Sequence, residues 1–200
     1  MSPSDNPLSR YVEPAARLAA ILFGYAVLAY ALLLSFEIVS RKLFNSSFKG
    51  IDELGGFVLA ISAAIGASYT MALRGHTRVD VFLVRMPKKV QAWLNALAMV
   101  SMACFAGFAA WRGVAVLQDT IEFGSVSPNL QQPLWIPQLI WVAGLVLFAV
   151  IATLYGAHAL YLLAMGRPEI NTLYGPLSVD DELDTELEAL KARKVEGTNG

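Results

Sequence analysis

Gly124-Ser125-Val126-Ser127-Pro128-Asn129-Leu130-Gln131-Gln132-Pro133-Leu134-Trp135-Ile136-Pro137 decides how many times this chain crosses a membrane. The segment opens the longest uncharged run of the sequence, the 44 residues 123–166. A helix needs about 20 apolar residues to cross the roughly 30 Å hydrocarbon layer, so length alone would allow two spans here. The quoted residues argue against two. Three prolines remove backbone donors and obstruct a helix. Lipid-exposed backbone cannot leave its amides and carbonyls unpaired. The stretch therefore reads as an extracytoplasmic turn, followed by one span from about Ile136 to Met165, long enough to tilt or protrude.

Three other runs lack Asp, Glu, Lys and Arg: residues 18–36, 54–73 and 90–111, of 19, 20 and 22 residues. Each has the length of one span. The composition agrees, with 56% hydrophobic and only 16% charged residues and a mean hydropathy of +0.53. Soluble domains carry about 25% charged residues. The sequence thus predicts an all-α integral membrane protein with four transmembrane helices, at about 18–40, 53–73, 90–112 and 136–165. Residues 1–15 form a cytoplasmic N-terminal segment, 16–166 the membrane domain and 167–200 an acidic tail. The polar start and long first run do not resemble a cleavable signal peptide, so the first span reads as retained. The single cysteine, Cys104, reads as a small buried hydrophobe.

Lys and Arg concentrate on cytoplasmic loops. With the N-terminus inside, Arg10, Arg17, Arg74, Arg78, Arg85, Lys88, Lys89 and Arg167 lie inside. Arg41, Lys42, Lys49 and the helix-end Arg112 lie outside. Eight against four favours both termini in the cytoplasm. In the tail, Val179, Leu183, Leu187 and Leu190 recur at helical spacing, and Ser178 with Asp181 resembles a capping box. A short cytoplasmic C-terminal helix is expected there. Between the second and third spans, apolar residues interleaved with bases over Arg74–Lys89 suit an interfacial helical segment that meets anionic headgroups.

Polar residues at the span ends are the candidates for function, because burying ionisable groups is costly. Glu37 and Arg41 are four residues apart on one helix face and can pair. That makes them a structural ion pair or a contact with a partner subunit. Asp52 and Glu53 open the second span, where acids suit the helix dipole. Gly56, Ala60, Ala64, Ser68 and Ala72 recur every four residues, a spacing of small residues that permits close helix contact in lipid. Pro87 sits at the start of the third span, where a missing N–H costs little.

Catalytic chemistry finds little support. No Ser/His/Asp or Cys/His arrangement and no zinc-ligand spacing is present. The two histidines, His76 and His158, give no pattern of paired haem ligands along the spans, and no cofactor is expected. No span carries a charge at its centre, and the middle of the fourth is wholly apolar from Trp141 to Ile151. A transporter acting alone would need polar groups near the midplane. The pattern points to a subunit or scaffold. A cytochrome-type or other accessory four-span subunit is the competing class, separable by a haem absorbance spectrum or by conductance of the protein alone.

The order of these features resembles the small membrane subunit of tripartite ATP-independent periplasmic (TRAP) transporters, the DctQ-like family. The resemblance covers roughly residues 15–166. It rests on Arg41 after the first span, Asp52-Glu53 opening the second and Gly66 within it. Arg74-Gly75-His76, Val79-Asp80 and the Leu83–Pro87 stretch follow, then the Ser127-Pro128 turn and the proline-rich approach to the fourth span. The Gln131-Gln132-Pro133 segment and the acidic tail depart from the pattern. The resemblance implies a scaffold subunit beside a separate large membrane subunit, in a sodium-gradient-driven importer of an organic acid. A periplasmic solute-binding protein would deliver that acid, and the complex would lie in the inner membrane. It implies no substrate contact on this chain. Glu53 and the Arg74/His76/Asp80 cluster would fix the second and third spans against each other or against the large subunit. The Ser127-Pro128 turn would help receive the binding protein.

Overall fold

The structure is a computed structural model that describes residues 9–45, 49–72 and 83–175. Its helices are α1 (Ser9–Phe44), α2 (Ile51–Ala72), α3 (Lys88–Glu122), α4 (Trp135–Ala164) and α5 (Glu169–Tyr174), with a single 3-10 turn at Leu83–Arg85 before α3. The first four are long and apolar enough to cross a membrane. The expected tail helix and the Arg74–Asp80 motif lie outside the described residues.

Glycine and proline fix several of the helix ends. Gly50 takes a left-handed φ of 89°, and its carbonyl accepts the first bond of α2 from the Leu54 amide. Pro87 directly precedes α3, and its carbonyl accepts the amides of Val90 and Gln91. At the end of α4, Gly166 adopts a φ of 64°. Its amide bonds the Leu163 carbonyl and that of Arg167 bonds Leu162, both at 3.0 Å. This pair of bonds is the Schellman arrangement, which satisfies carbonyls a helix end leaves open.

Helix α3 does not stop at Arg112 but runs on to Glu122. At 1.5 Å per residue it is about 52 Å long, well beyond the hydrocarbon layer. Its exposed tryptophans mark the membrane boundaries. Trp93 and Trp111 are 68% and 63% exposed and lie about 27 Å apart along the axis, the spacing of two interfacial aromatic belts. The last turns, with Asp119 and Glu122, therefore project from the bilayer. Arg112 places its guanidinium 5.7 Å from the Trp111 ring centroid, a cation–π contact suited to this level.

Helix α4 is the centre of the bundle. Both α2 and α3 pack along it, α1 packs on α2, and α5 closes over α3 and α4. Lipid tails are as apolar as leucine, so contact in the membrane depends on close packing rather than on burial from water. Small residues provide it. A Cβ at Gly144 would lie 3.0 Å from the Ala64 Cβ and 3.2 Å from Ile65. A Cβ at Gly156 would lie 3.3 Å from both the Met99 carbonyl oxygen and the Ala103 Cβ. Ala106, Ala152 and Ala159 are wholly buried between these helices, with Phe148, Ile151 and Tyr155 filling the gaps. On the outside, α1 turns most of its large apolar side chains outward between Leu18 and Phe44, while Phe23, Val27, Tyr30 and Leu34 are half-buried. Cys104 is exposed on the outer surface rather than buried; a small apolar side chain facing lipid incurs no transfer cost.

The four-residue stripe on α2 splits. Ala64 and Ser68 are buried, whereas Gly56 and Ala60 are exposed. Four residues turn a helix through 400°, so a strict spacing of four drifts about 40° per step around the helix. Gly55, next to Gly56, is the glycine held in close contact, beneath the Tyr30 ring of α1. The Tyr30 hydroxyl donates to the Ile51 carbonyl at 3.3 Å.

Replacing Gly156 by leucine should force α4 away from α3 and lower stability by about 1–3 kcal/mol, the usual cost of overpacking. A Cβ at Gly66 meets nothing within 4 Å, so Gly66→Ala in the isolated chain should be neutral or stabilising by up to about 1 kcal/mol. Thermal unfolding of the purified protein in detergent distinguishes the two. Equal melting of Gly156→Leu and the native chain would contradict the packing described.

Candidate functional site: the Glu53 anchor of the α3–α4 turn

Residues 123–134 form a compact turn rather than a loose loop. The Ser127 amide donates to the Gln132 carbonyl at 2.8 Å, the Gln131 amide to Ser127 at 3.1 Å and the Leu134 amide to Ser125 at 3.0 Å. Val126 and Pro133 face each other in an isolated antiparallel bridge. Gln131 takes a left-handed φ of 53°, which costs a non-glycine residue about 1 kcal/mol or more. Its side-chain amide bonds the Pro128 carbonyl at 2.8 Å and so helps hold that geometry.

Two backbone donors remain at the tip, and Glu53 of α2 takes both. Its Oε1 accepts from the Asn129 amide at 2.9 Å and its Oε2 from the Leu130 amide at 3.1 Å. Charge-assisted bonds of this kind are stronger than neutral ones. The Ser127 hydroxyl is buried near the same carboxylate but makes no hydrogen bond of ordinary geometry with the described residues, so the two amides carry the contact. Packing supports it. A Cβ at Gly50 would fall 2.5 Å from the Leu130 side chain, so the turn seats on a surface that only glycine leaves open. Glu53 and Ser127-Pro128, distant in sequence, thus come together at one end of the bundle.

The other candidates are placed as follows. Glu37 is buried on α1 and lies 3.8 Å from the mostly exposed Arg41 guanidinium. Asp52 is exposed beside Glu53. Gly56 is exposed and Gly66 half-buried, neither meeting another helix at its Cβ position. Pro87 starts α3 at the opposite end. Arg74, Gly75, His76 and Asp80 lie outside the described residues.

A second polar assembly sits at that opposite end and escaped sequence reasoning. Asn95 of α3 is buried, at 1% exposure, and donates to the Asn171 side-chain oxygen of α5 at 3.1 Å. Asn171 in turn donates to the Lys88 carbonyl at 2.9 Å. His158 Nδ1 lies 2.6 Å from the Tyr174 hydroxyl. These bonds latch α5 across the ends of α3 and α4, with Ile170 and Tyr174 buried beneath it. The signal available was the four-residue spacing of Ile170 and Tyr174, one apolar face of a short helix. Among the described residues, no three His, Cys, Asp or Glu side chains gather as metal ligands would.

Residues 30–159, spanning the C-terminal part of α1, all of α2 and α3, the turn and most of α4, match the family described as tripartite ATP-independent periplasmic transporters, DctQ component. The chain belongs to this family. The DctQ component is a part of a transporter and not an enzyme family, and the match runs through both the Glu53 anchor and the packed centre of the bundle. No curated protein matches the chain.

Replacing Glu53 by alanine should free the turn while leaving the α2–α4 packing in place. Glu53→Gln, which keeps an acceptor but not the charge, should lie between. A cysteine introduced at Asn129 reads this out as a faster thiol-labelling rate in Glu53→Ala than in the native background. An unchanged rate would contradict the anchor.

Proposed function

We propose that this chain is the scaffold subunit of a TRAP transporter: it packs against a large membrane subunit that imports an organic acid under a sodium gradient. A periplasmic binding protein delivers the acid. The chain lies in the inner membrane with both termini in the cytoplasm, an orientation favoured by its excess of basic residues on that side.

The observation that carries the proposal is the character of the spans in a chain of this family. Their centres hold no charge, and α2–α4 meet through alanine and glycine. Such a bundle is suited to hold a neighbour in place and offers a polar solute little to bind. Its outer surface is a broad apolar belt from α1, α3 and α4, which lipid and the large subunit share. In this reading the Glu53-anchored turn stands on the periplasmic side, a preformed platform beside the path by which the binding protein docks. The Arg74-Gly75-His76 motif and Asp80 contact the large subunit at the other end of α2.

Arg74→Ala and Glu53→Ala should each impair uptake of the transported acid by cells, and Arg74→Ala should also reduce co-purification of the large subunit. Losing about 1.4 kcal/mol of interface energy weakens association tenfold, a change visible in the yield of complex. Normal uptake and normal complex yield in both variants would refute these roles.

A further inference from the structure

The α5 end of the bundle holds a cleft of about 620 Å³ between the start of α3, the end of α4 and α5. That volume lies in the range of sites that hold one ligand molecule. Lys88, Lys89 and Arg167 stand on its rim, and Ala92, Trp93 and Leu163 offer apolar wall. All three basic side chains are exposed.

The placement of these groups is fixed by the fold. The Schellman bond from the Arg167 amide to Leu162 turns the chain sharply at Gly166 and brings Arg167 to the cleft. The Asn171 side chain holds the Lys88 carbonyl and so ties the opposite wall to α5. Arg167 has a carboxylate neighbour, Glu169, but the pair is 3.8 Å apart with both side chains more than half exposed. Pairs this long and exposed contribute little, so the guanidinium remains available to an anion.

The depth in the membrane selects the ligand. Trp93 marks the edge of the hydrocarbon layer, and Lys88 lies five residues further out, about 7–8 Å along the α3 axis. That is the level of the lipid headgroups, which add about 5–7 Å to each side of the core. A cleft with three cations at headgroup height and an apolar wall directly below matches a molecule with a phosphodiester above an acyl chain. Basic pockets between membrane helices are known to take such headgroups.

We propose that this cleft is a binding site for one acidic phospholipid, with its phosphodiester held by Lys88, Lys89 and Arg167 and its upper acyl chain against Ala92, Trp93 and Leu163. The bound lipid bridges α3, α4 and α5 and adds to the latch that Asn171 and Tyr174 already make. This site depends only on the chain lying in a membrane and stands whether or not the scaffold role holds.

Native mass spectrometry of the full chain in neutral detergent, titrated with dioleoyl phosphatidylglycerol or dioleoyl phosphatidylcholine, tests the proposal. One phosphatidylglycerol should be retained about a hundredfold more tightly than phosphatidylcholine, the preference three basic contacts to an anionic headgroup would give. The triple variant Lys88→Gln, Lys89→Gln, Arg167→Gln should bind both lipids alike. Lys42→Gln with Lys49→Gln, at the other end of the bundle, should keep the preference. Inorganic phosphate at the same concentration should not displace the lipid. The single variants should show graded losses, which keeps the test decisive if the triple variant folds poorly. Equal binding of the two lipids by the native chain would overturn the site, as would full retention of the preference in the three single variants or displacement by phosphate. The first of those results is also what an acidic protein segment occupying the cleft would give.

Discussion

Everything in this bundle depends on how closely α2 and α3 can approach α4. In water, apolar side chains would drive the helices together; in lipid they would not, and van der Waals contact must serve instead. Gly144 and Gly156 put the backbone of α4 within reach of both neighbours. Two glycines on different faces of one helix make α4 the shared partner of both. Alanines at 106, 152 and 159 keep the spacing small, and Phe148 and Tyr155 fill what remains. Helix α1 packs chiefly on α2, with Tyr30 over Gly55, and presents many leucines, isoleucines and aromatics to its surroundings.

The two ends of the bundle are secured by different polar devices. At one end a single carboxylate, Glu53, gathers two amides of the turn and couples α2 to the α3–α4 connection. At the other end a chain of amide contacts, Asn95 to Asn171 to Lys88, pins a short helix across α3 and α4. Neither device lies at the membrane midplane. The carboxylate and the amide chain lie towards the ends of the bundle, where desolvation costs less, and between them the helices rely on packing. The result is a body stiffened at both surfaces and held together between them by close contact.

Much of this was legible in the sequence. Runs without charge set the four spans, and Pro128 and Pro133 divided the last run, because proline and lipid constrain backbone strongly and locally; Pro137, read with the turn, lies in the first turn of α4, where a missing N–H costs little. Helix α3 runs past Arg112 because charge ends an apolar run but not a helix: Gly113, Leu117 and Thr120 stay buried in the bundle while Gln118, Asp119 and Glu122 are exposed. The partners of Glu53 were not legible: the Asn129 and Leu130 amides lie more than 75 residues away, and backbone donors leave no mark in composition. The face of α2 was read with a spacing of four, which the pitch of the helix rotates away from any one neighbour, so Gly55 rather than Gly56 took the close contact. The short α5, Glu-Ile-Asn-Thr-Leu-Tyr, carried only three apolar residues and one amide, too little signal to stand out beside an acidic tail.

The chain belongs to the DctQ component family, and the role proposed for it is to support transport without forming the solute path. Reconstitution tests that claim most directly. Vesicles holding this chain together with the large membrane subunit, supplied with the binding protein and an inward sodium gradient, should accumulate the delivered organic acid. Vesicles holding this chain alone should show neither uptake nor ion conductance. Conductance or solute uptake by the chain alone would contradict the account.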